Sequence, residues 1–279
     1  MTVTDERPAV QIDFPDLQEL TFEVLPGDIG VLRINRPDRM NSQTIRMFHE
    51  HGEAAFVLRD APLRALIITG TGTRAFCAGF DLDEVGQIAE MGVREFLKFQ
   101  EAATGGIQGL HFLPFPVIAA IHGPATGGGL ALALAADIRL CDPAAKFSAA
   151  FVKVGLSCGE LGTSYHLTRL VGPAMAAEIG FTARIVGAEE AERIGLVNRV
   201  VPTDELFDAA VAMAQQIAEN SPAGVRMSKR AIQRNMEISS YAAALELENR
   251  GQALMTRTAD MPEALAAFKE KRAPRFTGE

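Results

Sequence analysis

The chain has only three cysteines, with no Cys-X-X-Cys pair and no cysteine–histidine cluster, which argues against a disulfide framework and a zinc site. Basic residues are outnumbered, 27 against 35 acidic ones, and the formal net charge is −8. That balance argues against nucleic acid or an anionic membrane as the partner. The first ten residues, MTVTDERPAV, lack the basic-then-apolar pattern of a secretory signal. These absences predict a reduced, cytoplasmic protein without a metal.

Charged side chains are missing altogether from residues 102–136. A membrane helix needs roughly 18 or more consecutive apolar residues, but three prolines, a histidine and three consecutive glycines interrupt this run. The stretch therefore predicts a buried strand, a glycine loop and a buried helix. With 48% hydrophobic residues in 279, the chain has ample apolar surface for a globular core.

Strand-like and helix-like patterns alternate along the first two hundred residues. Short apolar runs typical of strands occur at 20–24, 29–34, 64–70, 116–121 and 136–140. Because helical stretches separate them, we expect an α/β core over residues 19–200. Residues 1–18 are expected to form a flexible arm. Residues 201–279 are expected to form a helical region, with helices at 204–219, 222–249 and 262–272.

Two glycine-containing loops each follow a predicted buried strand. Residues 74–82 read RAFCAGFDL, and residues 121–131 read IHGPATGGGLA. Glycine has no Cβ and lets backbone N–H groups face a ligand, and the second loop runs into a predicted helix whose N-terminus favours an anion. Two such N–H groups that meet at one carbonyl oxygen would form an oxyanion hole. Packing in tight turns is the alternative role of these glycines.

These segments resemble the crotonase superfamily, also called the enoyl-CoA hydratase/isomerase family. The resemblance is carried, in family order, by RPDRMNS (36–42), RAFCAGFDL, HGPATGGGLALALAADIRL (122–140), VGLSCGELGTSYHLTRLVG (154–172) and IGLVNRVV (194–201). It implies the crotonase α/β fold, a ClpP-like spiral of stacked β-sheets surrounded by helices, with a C-terminal helical oligomerisation region. It also implies an acyl-CoA thioester as substrate, no cofactor besides the coenzyme A of that substrate, and a homotrimer or homohexamer.

The resemblance also assigns site residues. It places the oxyanion hole on the backbone N–H groups of Phe80 and Gly128, which would polarise the thioester and stabilise an enolate. The substrate-binding positions that it implies are Arg39 near the CoA phosphates, Ala78, Phe80, Asp81 and Leu82 around adenine and pantetheine, Gly127 in the glycine loop, and Lys269 and Lys271 on a C-terminal helix that often meets CoA of a neighbouring subunit. A solvated helix face is the alternative for the two lysines.

The acid/base positions depart from the hydratase pattern. Family hydratases use two glutamates, and the matching positions here are Ala131 and Phe151, neither of which can transfer a proton. The carboxylate that remains nearby is Glu160, which matches an aspartate of family dienoyl-CoA isomerases and a dehalogenase. In its mostly apolar stretch Glu160 is expected to have a raised pKa and to act as a base. It is also expected to open a helix, where stabilising the helix dipole is its alternative role.

The sequence therefore predicts acyl-CoA chemistry through a polarised thioester, with double-bond isomerisation by Glu160 as the preferred reaction. Hydration by an atypical acid, thioester hydrolysis and decarboxylation are rival reactions. A CoA-binding scaffold without catalysis is the rival from another class, and Asp83 or Glu84 could supply a second carboxylate. Residues 83–113 are expected to line an apolar acyl pocket through Phe96, Phe99, Ile107 and Leu110.

Overall fold

The structure is a computed structural model and describes residues 10–279. Its strands are β1 (Leu20–Leu25), β2 (Ile29–Ile34), β3 (Ala65–Gly70), β4 (Val117–Ile121), β5 (Pro124–Thr126), β6 (Ile138–Cys141), β7 (Lys146–Ser148), β8 (Val186–Gly187) and β9 (Arg199–Val200). Its helices are α1 (Ile45–Leu58), α2 (Leu82–Glu90), α3 (Val93–His111), α4 (Gly128–Ala135), α5 (Thr163–Thr182), α6 (Ala188–Arg193), α7 (Leu206–Ala218), α8 (Pro222–Asn235), α9 (Tyr241–Met255) and α10 (Asp260–Glu270). The mixed α/β architecture expected from the sequence is confirmed.

Two sheets organise the core. The larger has six strands in the order β1-β2-β3-β4-β6-β9, antiparallel between β1 and β2 and parallel from β2 onward. The smaller has the order β5-β7-β8, with β5 and β7 parallel. The carboxyl ends of β3 and β4 lie side by side in the large sheet, and the two glycine-containing loops follow these ends. The topology therefore brings the two loops to the same edge of the large sheet.

Both faces of the large sheet are covered, because successive side chains of a strand point to opposite faces. On β3, Leu66 and Ile68 belong to the main core, which includes residues of α1, α3 and α4. Ala65 and Ile67 belong to a second core, which α7 completes with buried residues at Leu206, Ala210 and Ala214. Helix α7 is thus part of the sheet's packing. The boundary at residue 201 stays a prediction, and α7, which follows it, packs on the sheet.

One predicted helix differs from the structure. The helix expected at 222–249 is two helices, because residues 236–240 interrupt it and the Ser240 side chain caps α9 by accepting the N–H of Ala243 at 3.3 Å. Helix α5 consists of two helical segments, because Gly172 before Pro173 has a non-helical backbone (φ 78°, ψ 162°) and kinks the chain there.

The predicted arm lies partly outside the described residues, which begin at residue 10. Residues 10–18 contain no helix and hold only a turn at their end, yet three of their apolar side chains pack against the main core: Ile12, Phe14 and Leu17. Glu50 on α1 accepts the backbone N–H groups of three consecutive residues at 2.9–3.1 Å: Gln18, Glu19 and Leu20. This part of the arm is therefore attached to the core.

The charge-free stretch 102–136 forms the second half of α3, the strands β4 and β5, and α4. All eight residues of α4 are buried. A helix that is apolar on every side is buried in the core of a protein or spans a membrane. Within residues 10–279, no helix combines the length and hydropathy needed to cross a bilayer.

His51 on α1 makes the unfolding free energy depend on pH. It is fully buried, and neither ring nitrogen has a hydrogen-bond partner among the described residues. Burial lowers the pKa of His51 from 6.5 to about 4. As the pH falls below 6.5 the unfolded chain takes up a proton on this ring while the folded chain does not. The contribution of His51 to the free energy of unfolding is therefore fully present above pH 6.5. It is lost progressively as the pH falls toward 4, by about 3 kcal/mol.

Urea unfolding of wild type and His51→Leu between pH 7 and pH 4.5 measures this effect. The variant is expected to lose less stability on acidification than wild type. The exposed His49 on the same helix provides a matched control, and His49→Leu is expected to keep the wild-type pH dependence. Equal acid sensitivity of wild type and His51→Leu would show that the buried ring is not its source.

Candidate active site

The first glycine loop leaves β3 and runs alongside β5. Cys77 donates its N–H to the Pro124 oxygen (3.1 Å) and accepts the N–H of Thr126 (3.0 Å). Gly79 has a φ of +96°, and a Cβ at this position would lie 2.6 Å from the Thr126 oxygen. Since only glycine allows this approach, the loop lies directly against the residues that precede α4.

The second glycine loop turns from β5 into the N-terminus of α4. Gly127 has a φ of +53° and donates its N–H to the Ser148 oxygen at 2.9 Å. A Cβ on Gly129 would overlap the carbonyl oxygen of Cys77 and lie 2.8 Å from its carbonyl carbon. The two loops therefore touch through their backbones, with no side chain between them.

Two backbone donors near this contact have no acceptor in the part of the chain that the structure describes. Within residues 10–279, neither the Phe80 N–H nor the Gly128 N–H donates a hydrogen bond. The point at which a Cβ on Gly79 would lie is 3.7 Å from the Cα of Gly127, so the residues next to both donors are in contact. Unpaired N–H groups in a protein interior are uncommon. At a helix N-terminus they favour a negatively charged oxygen.

A buried carboxylate anchors the first loop. Asp81 accepts hydrogen bonds from Arg36 (2.8 Å), the N–H of Asp83 (3.1 Å), Arg39 (3.1 Å) and the Ser42 hydroxyl (3.0 Å). Burial opposes ionisation of Asp81, but these hydrogen bonds outweigh it and hold the pKa of the carboxyl well below its usual range. The Asp81 carboxylate is thus fully occupied by protein donors. Arg39, whose side chain is half exposed, is held beside it.

The two acids considered as a second carboxylate also have protein partners. Asp83 forms an ion pair with Arg39. Glu84 accepts the N–H of Ile45 at 2.7 Å, at the start of α1. Both carboxylates therefore serve the scaffold around the first loop.

Apolar side chains stand at the two positions where the resemblance expects hydratase glutamates. Ala131 is completely buried inside α4. Phe151 is buried in a short 3-10 helix, Ala150–Val154, and its ring lies 3.8 Å from the point where a Cβ on Gly127 would be. Neither position supplies a group that can donate or accept a proton.

Glu160 lies in the bend before α5, which begins only at Thr163. The expectation that it opens a helix is wrong, because Leu161 and Gly162 have positive φ values of 48° and 80° and interrupt a helical path. The Glu160 carboxylate accepts a hydrogen bond from the Gln100 side chain of α3. Burial raises the pKa of Glu160, and the hydrogen bond from Gln100 opposes this rise.

Leu161 connects Glu160 to the glycine loops. Its Cδ1 lies 3.6 Å from the point where a Cβ on Gly128 would be. Leu161, which follows Glu160 in the chain, therefore lies beside Gly128, the residue that carries the second donor. It has no cationic partner among the described residues.

Aromatic rings surround the first loop. The ring centroid of Phe80 lies 5.9 Å from that of Phe48 and 6.2 Å from that of Phe99. Together with Ala103, Ala131 and Leu161, these rings form one apolar cluster. Of the residues expected to line an acyl pocket, Phe99 belongs to this cluster and Phe96 packs against it at 6.3 Å.

A cavity of about 230 Å³ between α3, α5 and α8 shares Leu161 with this cluster. Ile107 and the rings of His111 and His166 form part of its wall. Burial lowers the pKa of His166 to about 4 and also lowers that of His111, so both rings are neutral at pH 7. The charged residues Arg234 and Glu237 also line the cavity. A larger open depression of about 600 Å³ beside α1 contains none of the glycine-loop residues.

The remaining predicted substrate-binding positions lie on three different elements. Ala78 donates its N–H to the Met40 oxygen at 3.0 Å, which attaches the first loop to the segment before α1. Leu82 begins α2, and 74% of its surface is exposed. Lys269 and Lys271 are exposed at the C-terminal end of α10, and neither forms an ion pair with another described residue. Their role in binding CoA stays a prediction.

Sequence reasoning missed Gln100. This residue lies 60 positions before Glu160, and only the packing of α3 against the bend brings the two side chains together. No local signal distinguishes Gln100, because the charged residues Lys98 and Glu101 lie on either side of it.

Comparison with known proteins decides the family. The sequence profile of the enoyl-CoA hydratase/isomerase family matches residues 26–279. The chain belongs to this family.

Relatives agree with this assignment over nearly the whole chain. "Probable enoyl-CoA hydratase EchA12" of Mycobacterium tuberculosis (strain ATCC 25618 / H37Rv) is 42% identical over 258 residues, which cover 90% of each chain. The short-chain-enoyl-CoA hydratase of Clostridium acetobutylicum is 39% identical over 88% of this chain and 93% of its own. The crystal structure of an enoyl-CoA hydratase from Bacillus anthracis superposes with a TM-score of 0.88 at 33% identity, covering 94% of this chain and all of the other. The crotonase fold is therefore confirmed.

Proposed function

We propose that this member of the enoyl-CoA hydratase/isomerase family moves the double bond of an enoyl-CoA thioester, with Glu160 as the acid/base group. The N–H groups of Phe80 and Gly128 hold the thioester oxygen. Coenzyme A enters as part of the substrate, and no further cofactor takes part.

The proposed reaction is a proton shuttle. The Glu160 carboxylate takes a proton from a carbon next to the double-bond system, and the electron pair moves toward the thioester oxygen. The two N–H groups stabilise the resulting enolate, and a donor of this kind typically changes the rate by 10²- to 10³-fold. Protonated Glu160 exchanges its proton with solvent and delivers a proton to a different carbon, so that the double bond moves with no net gain or loss of atoms.

One observation carries the proposal. Glu160 is a carboxylate with a raised pKa and no cationic partner within residues 10–279, and the next residue, Leu161, lies beside Gly128. Alanine and phenylalanine stand where two hydratase glutamates are expected. A single carboxylate can move a proton, whereas hydration in the usual way needs one group to activate water and a second to deliver a proton.

Hydration is the second candidate, because the two relatives described above carry hydratase names. In that case Glu160 would activate water by itself or with an acid from outside the described contacts. A scaffold that binds acyl-CoA without turnover is the alternative outside catalysis.

Mass spectrometry of acyl-CoA thioesters in heavy water separates these candidates. A panel of 2-enoyl-, 3-enoyl- and saturated acyl-CoA is incubated with the protein. Deuterium in the acyl chain without addition of water is the expected result. Addition of water would mean hydration, and release of free CoA would mean hydrolysis. Unchanged thioesters with intact CoA binding would support the scaffold.

We also propose a homotrimer or homohexamer. Large apolar side chains are exposed on the C-terminal helices, among them Ile232, Tyr241, Leu254 and Phe268. Surface of this kind is typical of a protein–protein interface. Light scattering is expected to give three or six times the chain mass of 30.0 kDa, and the chain mass itself would contradict the proposal.

The three cysteines are free, in keeping with a cytoplasmic enzyme.

A further inference from the structure

Gln43 connects the two loops that carry the candidate donors. It lies two residues before α1 and is completely buried. Its backbone N–H donates to the Gly79 oxygen at 2.7 Å, and its carbonyl accepts the N–H of Asp81 at 2.8 Å. Gln43 thus pairs with the residues on both sides of Phe80 and holds the Phe80 backbone between them.

The side chain of Gln43 extends to the other loop. Its Cδ lies 3.2 Å from the point where a Cβ on Gly128 would be, and its Oε1 would overlap that atom. The carboxamide therefore occupies the space that glycine leaves open at position 128. One residue contacts both elements of the candidate oxyanion hole, the first with its backbone and the second with its side chain.

The carboxamide has no partner of its own. Among the described residues, neither Nε2 nor Oε1 of Gln43 forms a hydrogen bond, although both atoms are buried. Buried amide groups are almost always paired, since leaving them unpaired costs stability. A leucine of similar size would avoid this cost. We therefore expect a hydrogen-bond partner for the carboxamide to be supplied by the bound substrate.

We propose that Gln43 is a third hydrogen-bonding group of the thioester site, which donates from Nε2 to the oxygen that the Phe80 and Gly128 N–H groups hold. The terminal torsion of glutamine is broad and nearly two-fold, so the carboxamide can present either its nitrogen or its oxygen. The Cδ1 of Leu161 lies 3.6 Å from the same point beside Gly128, so an apolar side chain is also next to this position. The inference rests on the thioester site of the proposed function and is independent of the reaction that follows.

The polarisation of a bound thioester tests this role directly. The carbonyl stretch of ¹³C-labelled butyryl-CoA, measured by isotope-edited infrared spectroscopy, moves to lower frequency when donors hold the oxygen. Gln43→Leu is expected to bind butyryl-CoA with a smaller shift than wild type. Deuterium incorporation or turnover is expected to fall by about 10²-fold, with equal or greater stability. Gln43→Met, which keeps the chain length, is expected to behave alike and serves if the leucine variant does not fold.

His51→Leu is the matched control, because it also removes an unpaired buried polar side chain but lies on α1 away from the loops. It is expected to leave the carbonyl band and turnover unchanged. A wild-type carbonyl shift and wild-type turnover in Gln43→Leu, with or without lower stability, would overturn the proposal. No carbonyl shift even in the wild type would overturn the thioester site itself. A carbonyl shift that depends on Gln43 without isomerisation would support Gln43 and contradict only the proposed reaction.

Discussion

Replacing Glu160 by glutamine is expected to lower isomerisation turnover by roughly 10²- to 10⁴-fold, the usual contribution of a positioned acid/base group. Glutamine has nearly the shape of glutamate and its side-chain oxygen can still accept the hydrogen bond from Gln100. The site geometry is therefore kept while the group loses its ability to take a proton. Acyl-CoA affinity is expected to stay within a few-fold of wild type, and steady-state kinetics together with calorimetry measure both quantities.

Asp83→Asn is the matched control for this substitution. Asp83 is a carboxylate near the first loop, but it pairs with Arg39 and is largely exposed. The variant is expected to keep turnover within a few-fold of wild type. Normal turnover in Glu160→Gln together with a large loss in Asp83→Asn would transfer the acid/base role to Asp83 and contradict our assignment.

The pH profile of the same reaction provides a second check on Glu160. A base works in its ionised form, so kcat/KM is expected to fall as the pH decreases through the raised pKa of Glu160. Gln100 donates to the ionised carboxylate and opposes the rise in this pKa. Gln100→Leu is therefore expected to move the acid side of the profile to higher pH. A purely structural role of Gln100 would change the rate without moving the profile.

Gly129→Ala is expected to abolish measurable thioester turnover, a loss of at least 100-fold, and to destabilise the fold by about 1–3 kcal/mol. The new Cβ would overlap the carbonyl oxygen of Cys77 and lie 2.8 Å from its carbonyl carbon. Both are backbone atoms and cannot rotate away, so the first loop must move from α4. The N–H of Phe80 would then separate from the N–H of Gly128. Kinetics and urea unfolding measure the two effects.

Gly105→Ala is the control for the alanine substitution. Gly105 is exposed on α3, and an added Cβ would meet no atom within 4 Å. This variant is expected to keep full activity and to gain up to about 1 kcal/mol, because alanine favours a helix over glycine. Wild-type turnover in Gly129→Ala would show that the close approach of the two loops is not required for the reaction.

Much of the core could be predicted from the pattern of residues alone. The apolar run at 64–70 forms β3, and the charge-free stretch forms α3, β4, β5 and α4. Short-range rules are sufficient here, because a strand or helix that is buried on all sides has to be apolar throughout. The two glycine loops could also be recognised from the sequence, because glycine after a buried strand indicates close approach of the backbone.

Helix ends and helix packing could not be predicted as well from the sequence. The start of α5 was misplaced because the sequence around Glu160 does not show that Leu161 adopts a left-handed conformation, which few non-glycine residues do. The break between α8 and α9 has Ser240 as its cap, a common residue that caps helices only in the right context. The sequence contains several C-terminal helices. Which of them packs on the second face of the large sheet depends on the three-dimensional path of the chain.

The sequence by itself predicted the α/β core and the two loops, because these follow from glycine and apolar periodicity, and the resemblance of its motifs pointed to the family. Only the tertiary structure decided which side chains meet. Gln100 reaches Glu160 across 60 residues, and Gln43 fills the space beside Gly128 across 85 residues of chain. Contacts between such distant residues arise from packing, which a single sequence does not encode in any local pattern.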